Sequence, residues 1–357
     1  MSLHHTLIPP IALAVLAGAS ALDGALPALG VLLRATVLIL AVLSAVHHAE
    51  VVAHRTGEPM GTLVLALAVT IIEVALILSF MLTGGEDKST LARDTLFSAV
   101  MIICNGVVGL CLLVGGWRHT EQVFQVQGIG PTLAALLSLS TLSLVLPTFT
   151  TSSAEGTYTA SQLLFVAVTS LALWGAFTFF QTIRHRDYFL PQDAPENTQA
   201  HAAPPSRAQA WGSLLALLVC LVAVVGLAKQ LSPSIESALR AWGAPQTLVG
   251  IVIALLVLMP ETLAALRAAR ANRLQTSLNL ALGSALASIG LTIPAVAIAA
   301  VWLGFPLTLG LHSKDLILLG LSFMVGSITL AHGRTSMMQG AVHLVIFAAF
   351  LFLALVP

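Results

Sequence analysis

Eleven apolar runs, each close to the length needed to cross a bilayer, occupy most of this chain. They fall near residues 7–22, 29–53, 60–82, 94–116, 131–148, 160–182, 211–229, 246–266, 276–302, 313–331 and 338–356. A spanning helix needs roughly 20 mostly apolar residues, because its backbone polar groups must be satisfied within the segment. Short connections rich in Gly, Pro and charge separate most runs, such as Gly84-Gly85-Glu86-Asp87-Lys88. Only 8% of the 357 residues are charged, against 57% hydrophobic. A soluble domain carries about 25% charged residues, so the surface this chain can build faces lipid. The predicted fold class is all-α integral membrane, with about 11 transmembrane helices. Formal net charge is zero, which gives no reason to expect nucleic acid as a partner.

The first run ends in Gly18-Ala-Ser-Ala21, which loosely resembles a signal-peptidase site. Its upstream flank holds His4 and His5 but no Lys or Arg, so residues 1–28 are expected as an extra N-terminal span. Cys104, Cys111 and Cys220 all lie in apolar runs without CxxC spacing and read as small packing residues. Residues 184–210 are polar, contain four prolines and read as a linker after the sixth span. Of the 15 Lys and Arg residues, 9 fall on the side of the N-terminus and linker and 6 on the other. The positive-inside rule then places N-terminus and linker in the cytoplasm.

Comparing the chain with itself exposes a repeat. Glu50 is followed seven residues later by Gly57, two further on by Pro59, and after an apolar run by Glu73. Glu236 is followed seven residues later by Gly243, two further on by Pro245, and after an apolar run by Glu261. The glycine-to-glutamate spacing is 16 in the first copy and 18 in the second. Each copy opens a block of five runs: residues 29–183 form one block and 211–357 the other. An odd number of spans per block makes the second copy enter from the opposite face. That is an inverted repeat, a transporter architecture with the substrate site near the midplane.

An acidic residue at mid-membrane costs about 2.5–3.5 kcal/mol on insertion scales. Glu73 and Glu261 therefore read as functional, against the alternative of protonated glutamates hydrogen-bonded for packing. Arg267 and Arg270 follow Glu261 closely and place it nearer a surface than Glu73. If the repeat brings the two carboxylates together, ionised they offer hard oxygens suited to Ca²⁺. Left empty they repel one another, so at least one takes a proton. Competition of cation and proton for the same oxygens is the minimal mechanism of an antiporter. Pro260 removes a helix hydrogen bond before Glu261, and a broken helix can offer carbonyls to an ion. The first copy has Thr70 one turn before Glu73 instead.

At these residues the sequence resembles the Ca²⁺/H⁺ antiporter branch of the cation/Ca²⁺ exchanger superfamily, and within it the bacterial ChaA-type Ca²⁺(Na⁺)/H⁺ antiporters. The stretches that carry the resemblance are His48 to Pro59, Ile72-Glu-Val-Ala-Leu76, Arg93-Asp-Thr-Leu96, Pro260-Glu261, Asn279-Leu-Ala-Leu-Gly-Ser284, Gly333-Arg-Thr335 and Gly340-Ala-Val-His-Leu344. The wider superfamily sets its ion glutamates in Gly-Asn-Ala-(Thr/Ala)-Glu motifs. Glu73 and Glu261 take those positions without the Gly-Asn-Ala part. Gly283 and Ser284 match the motif of the next helix, with Ala287 where a glutamine would stand. The resemblance implies alternating-access exchange of Ca²⁺ for H⁺ in a bacterial inner membrane, with Na⁺ or K⁺ as the alternative cation and no cofactor.

Other polar residues are open to two readings. Thr70, Thr262, Ser98, Asn105, Asn279, Ser284 and Ser288 can line an ion path or pack helices; Asn105 and Ser284 are the favoured secondary ligands. His47, Glu50 and His54 share one helix face, as a polar helix end, a gate or relay, or a zinc site. Glu236, the mate of Glu50, has no histidines around it. His343 reads as a helix–helix hydrogen bond or a proton relay, and Arg93-Asp94 as a helix-start pair. A cation channel is the competing class. An enzyme is not expected, since no HExxH, GxSxG or paired-aspartate motif occurs.

Overall fold

The structure is a computed structural model that describes residues 3–18, 27–57, 60–83, 88–190, 205–243 and 245–356. Pro59, the Gly84–Asp87 connection and most of the polar linker lie outside the described residues. Among the described residues, ten helices are long and apolar enough to span a membrane, and a shorter apolar helix covers Leu7–Gly18. All eleven expected runs are thus helical over their described residues, and residues 19–22 of the first run lie outside these. Their contacts divide into two compact units, Met1–Lys88 with Ala200–Gln246, and Ser89–Gln199 with Thr247–Pro357. Each unit draws helices from both halves of the sequence.

The first unit holds α1 (Leu3–Gly18), α2 (Pro27–Thr56), α3 (Met60–Thr83) and α8 (Arg207–Trp242). α2 and α8 pack along each other, and α1 and α3 pack against both. Gly226 of α8 admits α1: a Cβ there would stand 2.6 Å from Leu16 Cδ1. Gln230 Nε2 then donates to the Leu16 carbonyl at 3.0 Å. The two repeat glycines do the same local work. Gly57 follows α2 with φ +74°, and Gly243 follows α8 with φ +61°. A left-handed glycine with a proline just beyond is a helix stop, so part of the repeat is punctuation shared by two helix ends.

The second unit holds the remaining helices. α4 (Leu91–Met101), a π segment (Ile102–Val107) and α5 (Val108–His119) form one continuous span. α6 (Val126–Ser140) and α7 (Ala160–Phe179) complete the first-half contribution. From the second half come α9 (Thr247–Arg270), α10 (Leu274–Leu303), α11 (Ser313–Leu330) and α12 (Met337–Leu355). Every residue of α4 is buried, and so is nearly all of the π segment, which touches α9, α10, α11 and α12. α4 lies so close to α9 that a Cβ on Gly250 would come within 2.8 Å of the Asp94 carbonyl carbon. α5 crosses α12 at Gly109 and Gly340, where small residues let backbones approach.

Two short strands were not expected. β1 (Glu121–Val123) pairs antiparallel with β2 (Arg334–Ser336), with Gln122 opposite Thr335. At this end Gln122 Nε2 also donates to Ala269 O and Asn272 Oδ1, both at 2.9 Å. The connections after α5, α9 and α11 are thereby laced together. At another point the extended segment before α11 is stitched by Leu309 and Gly310 N–H to Gly156 O, and by Leu311 N–H to Leu144 O at 3.0 Å.

Candidate functional site

In the first unit Glu73 sits on α3 with 2% of its surface exposed, between the fully buried Ile72 and Leu76. Thr70, one turn before it on the same face, is buried as well. The carboxylate expected inside the membrane is therefore buried. On α2, His48 and Ser44 are buried, whereas Glu50 and His54 are exposed. His47 Nδ1 lies 4.0 Å from Glu50 Oε2. Among the described residues no group of three or more His, Cys, Asp or Glu side chains could hold a metal ion. The zinc reading of His47, Glu50 and His54 is without geometric support.

Glu236 has a different environment from its repeat mate. Lys88 Nζ is ion-paired with the Glu236 carboxylate and donates to Ser232 Oγ at 3.0 Å. Ser232 Oγ donates in turn to Glu236 Oε1 at 3.1 Å. The Phe80 ring lies 5.8 Å below the ammonium, within cation–π range. Three basic residues counted as loop charges in the sequence are buried: Arg34, Lys88 and Arg93. They do not report which loops face the cytoplasm. Arg34 stands inside an apolar run, which was the signal that could have found it.

In the second unit Glu261 is half-buried on α9, less enclosed than Glu73. The break expected at Pro260 is absent: α9 runs continuously through it from Thr247 to Arg270. A proline costs one hydrogen bond, but the packed helices around it hold the rest of the ladder. Thr262 Oγ1 donates to Leu258 O of its own helix at 2.7 Å. Ser98 Oγ does the same to Asp94 O at 2.5 Å. Arg93 Nε donates to Asp94 Oδ1 at 2.8 Å and its Nη1 to Gly310 O at 3.1 Å, so the pair also anchors the segment before α11. Ser284 is half-buried on α10 and Ser288 is buried. Asn279 Nδ2 donates to Phe189 O at 2.7 Å, which ties α10 to the chain after α7.

Asn105 and His343 meet, a contact that no local sequence pattern signals. Asn105 lies in the π segment, where the wider turn rotates it relative to the α-helical register. Its Nδ2 donates to Ser322 Oγ at 2.8 Å, and Ser322 Oγ donates to Leu318 O at 2.6 Å. The amide orientation is thus set, and Asn105 Oδ1 accepts from His343 Nδ1 at 3.1 Å. His343 Nε2 faces Thr329 Oγ1, also at 3.1 Å. A hydroxyl can donate to a neutral imidazole or accept from a protonated one, so this network accommodates both states. All four residues are nearly fully buried. They join the π segment, α11 and α12 by polar contacts inside an apolar unit.

Residues 26–183 and 212–356 match the sodium/calcium exchanger protein family. A Sinorhizobium fredii (strain NBRC 101917 / NGR234) protein bearing the name ionic transporter y4hA is 51% identical over 326 residues, covering 91% of this chain and 88% of that one. The sodium-potassium/proton antiporter ChaA of Escherichia coli (strain K12) is 38% identical over 311 residues, covering 86% of this chain and 84% of that one. The structure of native YfkE superposes with a TM-score of 0.75 at 16% identity, covering 99% of this chain and all of that one. At that identity the likeness speaks for the fold.

Proposed function

Because this chain belongs to the sodium/calcium exchanger protein family, we propose that it exchanges a cation for protons, with Glu73 and Glu261 as the groups that carry them in turn. Antiport across a membrane is the shared activity of this superfamily, and the helices here are those of an integral membrane protein. The observation that carries the finer reading is Glu73, a carboxylate 2% exposed in the middle of an apolar span. Such a residue costs several kcal/mol unless it is neutralised. A bound cation and a proton can each neutralise such a carboxylate, and exchange is their alternation.

Sodium or potassium is the cation favoured here. The name of the 38%-identical relative supports it. So does the poverty of acidic ligands, since no cluster of three or more occurs among the described residues, while Ca²⁺ takes 6–8 oxygen ligands, usually with several carboxylates. Calcium is the second reading, favoured by charge: two carboxylates match one divalent ion against two protons. The paired helix stops at Gly57 and Gly243 support the inverted repeat that alternating access would use. The bacterial relatives support an inner membrane, and the excess of basic residues on their side supports a cytoplasmic N-terminus and linker.

Transport in inside-out vesicles with an imposed pH gradient tests this. Wild type should dissipate the gradient on addition of Na⁺ or K⁺, and Ca²⁺ serves as the third arm. Glu73→Gln and Glu261→Gln should each abolish exchange, since an amide neither ionises nor releases a proton. Normal exchange by both variants would sink the assignment. Current far above transporter turnover would favour a channel.

A further inference from the structure

One end of the second unit carries a charge imbalance that exchange does not need. The connections after α5, α9 and α11 hold Arg118, Arg267, Arg270, Arg273 and Arg334, all exposed, against a single acid, Glu121. The positive-inside rule places this end at the cytoplasmic face. Between the ends of α5 and α9 lies an open recess of about 540 Å³, lined by Leu113, Val114, Trp117, Arg118 and Arg270. That is within the size range of small-ligand sites. Its lining is graded: two aliphatic side chains toward the helix body, two guanidiniums at the end. Trp117, 81% exposed, stands beside them, as an interfacial tryptophan does at headgroup level.

The arginines are not consumed by the fold. Cations commonly cap helix C-termini, but the last carbonyls of α9 are already taken. Arg267 O and Ala268 O accept from Ala271 N at 3.1 Å. Ala269 O accepts from Gln122 Nε2 at 2.9 Å. Arg270 O faces His119 Nε2 at 3.0 Å, and since a carbonyl only accepts, that ring nitrogen donates. Among the described residues neither Arg118 nor Arg270 has a carboxylate partner. Two forked donors without a partner, above an apolar wall and beside an interfacial tryptophan, match a phosphodiester carrying acyl chains.

We propose that this recess binds an anionic phospholipid, its phosphate held by Arg118 and Arg270 and its glycerol and upper acyl chains laid along Leu113, Val114 and Trp117. The lipid would bridge the end of α5 to the end of α9, the helix that carries Glu261. Two arginines at a membrane surface together favour an anionic headgroup over a zwitterionic one by roughly 30-fold.

The test uses the full chain in nanodiscs of equimolar phosphatidylglycerol and phosphatidylcholine, with retained lipid counted by native mass spectrometry. Wild type should keep phosphatidylglycerol with that preference, and R118Q/R270Q should lose it. R118K/R270K should keep most of it. R273Q removes a charge from the same end outside the recess and should bind as wild type does. Wild-type preference in R118Q/R270Q would overturn the proposal. So would an equal loss in R273Q, which would reduce the effect to a diffuse positive field. Displacement of the lipid by soluble glycerol phosphate would also overturn it, since the apolar wall would then contribute nothing.

Discussion

Replacing Lys88 by methionine isolates a buried ion pair whose cost can be worked from its surroundings. The Lys88 side chain is 6% exposed, and its ammonium donates to Ser232 Oγ, pairs with Glu236 and faces the Phe80 ring. Methionine keeps the apolar stem volume and removes the charge. Breaking a fully buried pair from one side costs about 3–5 kcal/mol, mostly from the stranded partner. Glu236 is 26% exposed, so water recovers part of that, and the expected loss is about 1–3 kcal/mol. The companion Glu236→Gln removes the partner's charge, and the double variant leaves no stranded ion. It should be more stable than the sum of the single losses implies, with a coupling of at least about 1 kcal/mol. Equilibrium unfolding in mixed micelles, run on all four proteins, measures that coupling. Additive losses would show that Lys88 and Glu236 do not act as a pair, and the reasoning would fail.

Further outcomes follow from other contacts. Asn105→Leu should cost about 1–3 kcal/mol, because it removes the acceptor of His343 Nδ1 in an apolar unit, while Ser322 Oγ keeps its bond to Leu318 O; His343→Gln, which can still donate, should cost less in the same unfolding assay. Gly109→Val should be worse than either. A Cβ there already stands 2.9 Å from His343 Cβ, and failure to assemble would show as lost monodispersity in detergent. Gly57→Ala and Gly243→Ala should each destabilise by about 1–2 kcal/mol, since L residues strain at those positive φ angles. Thr262→Val should leave proton-coupled transport in vesicles near wild type, because its hydroxyl bonds its own helix at Leu258 O; a large loss would return Thr262 to the ion path.

Hydropathy alone located the ten spanning helices and the shorter one at Leu7–Gly18 among the described residues, because the cost of putting polar groups in lipid is paid segment by segment and each segment can be read by itself. Glu73 and Glu261 were legible for the same reason: a carboxylate in an apolar run is conspicuous wherever the run ends up in space. The repeat was legible too, and Gly57 and Gly243 show that it records where two helices stop. Which groups meet was decided by tertiary structure. Asn105 and His343 are 238 residues apart, and Lys88 and Glu236 are 148 apart. No local pattern encodes either contact. Arg34, Lys88 and Arg93 looked like loop charges because charge near the end of an apolar run has two destinations, solvent or a buried partner, and only packing chooses between them. The same holds for Arg118 and Arg270. Their sequence says basic and cytoplasmic; only the fold brings them, with Trp117, to the rim of one recess.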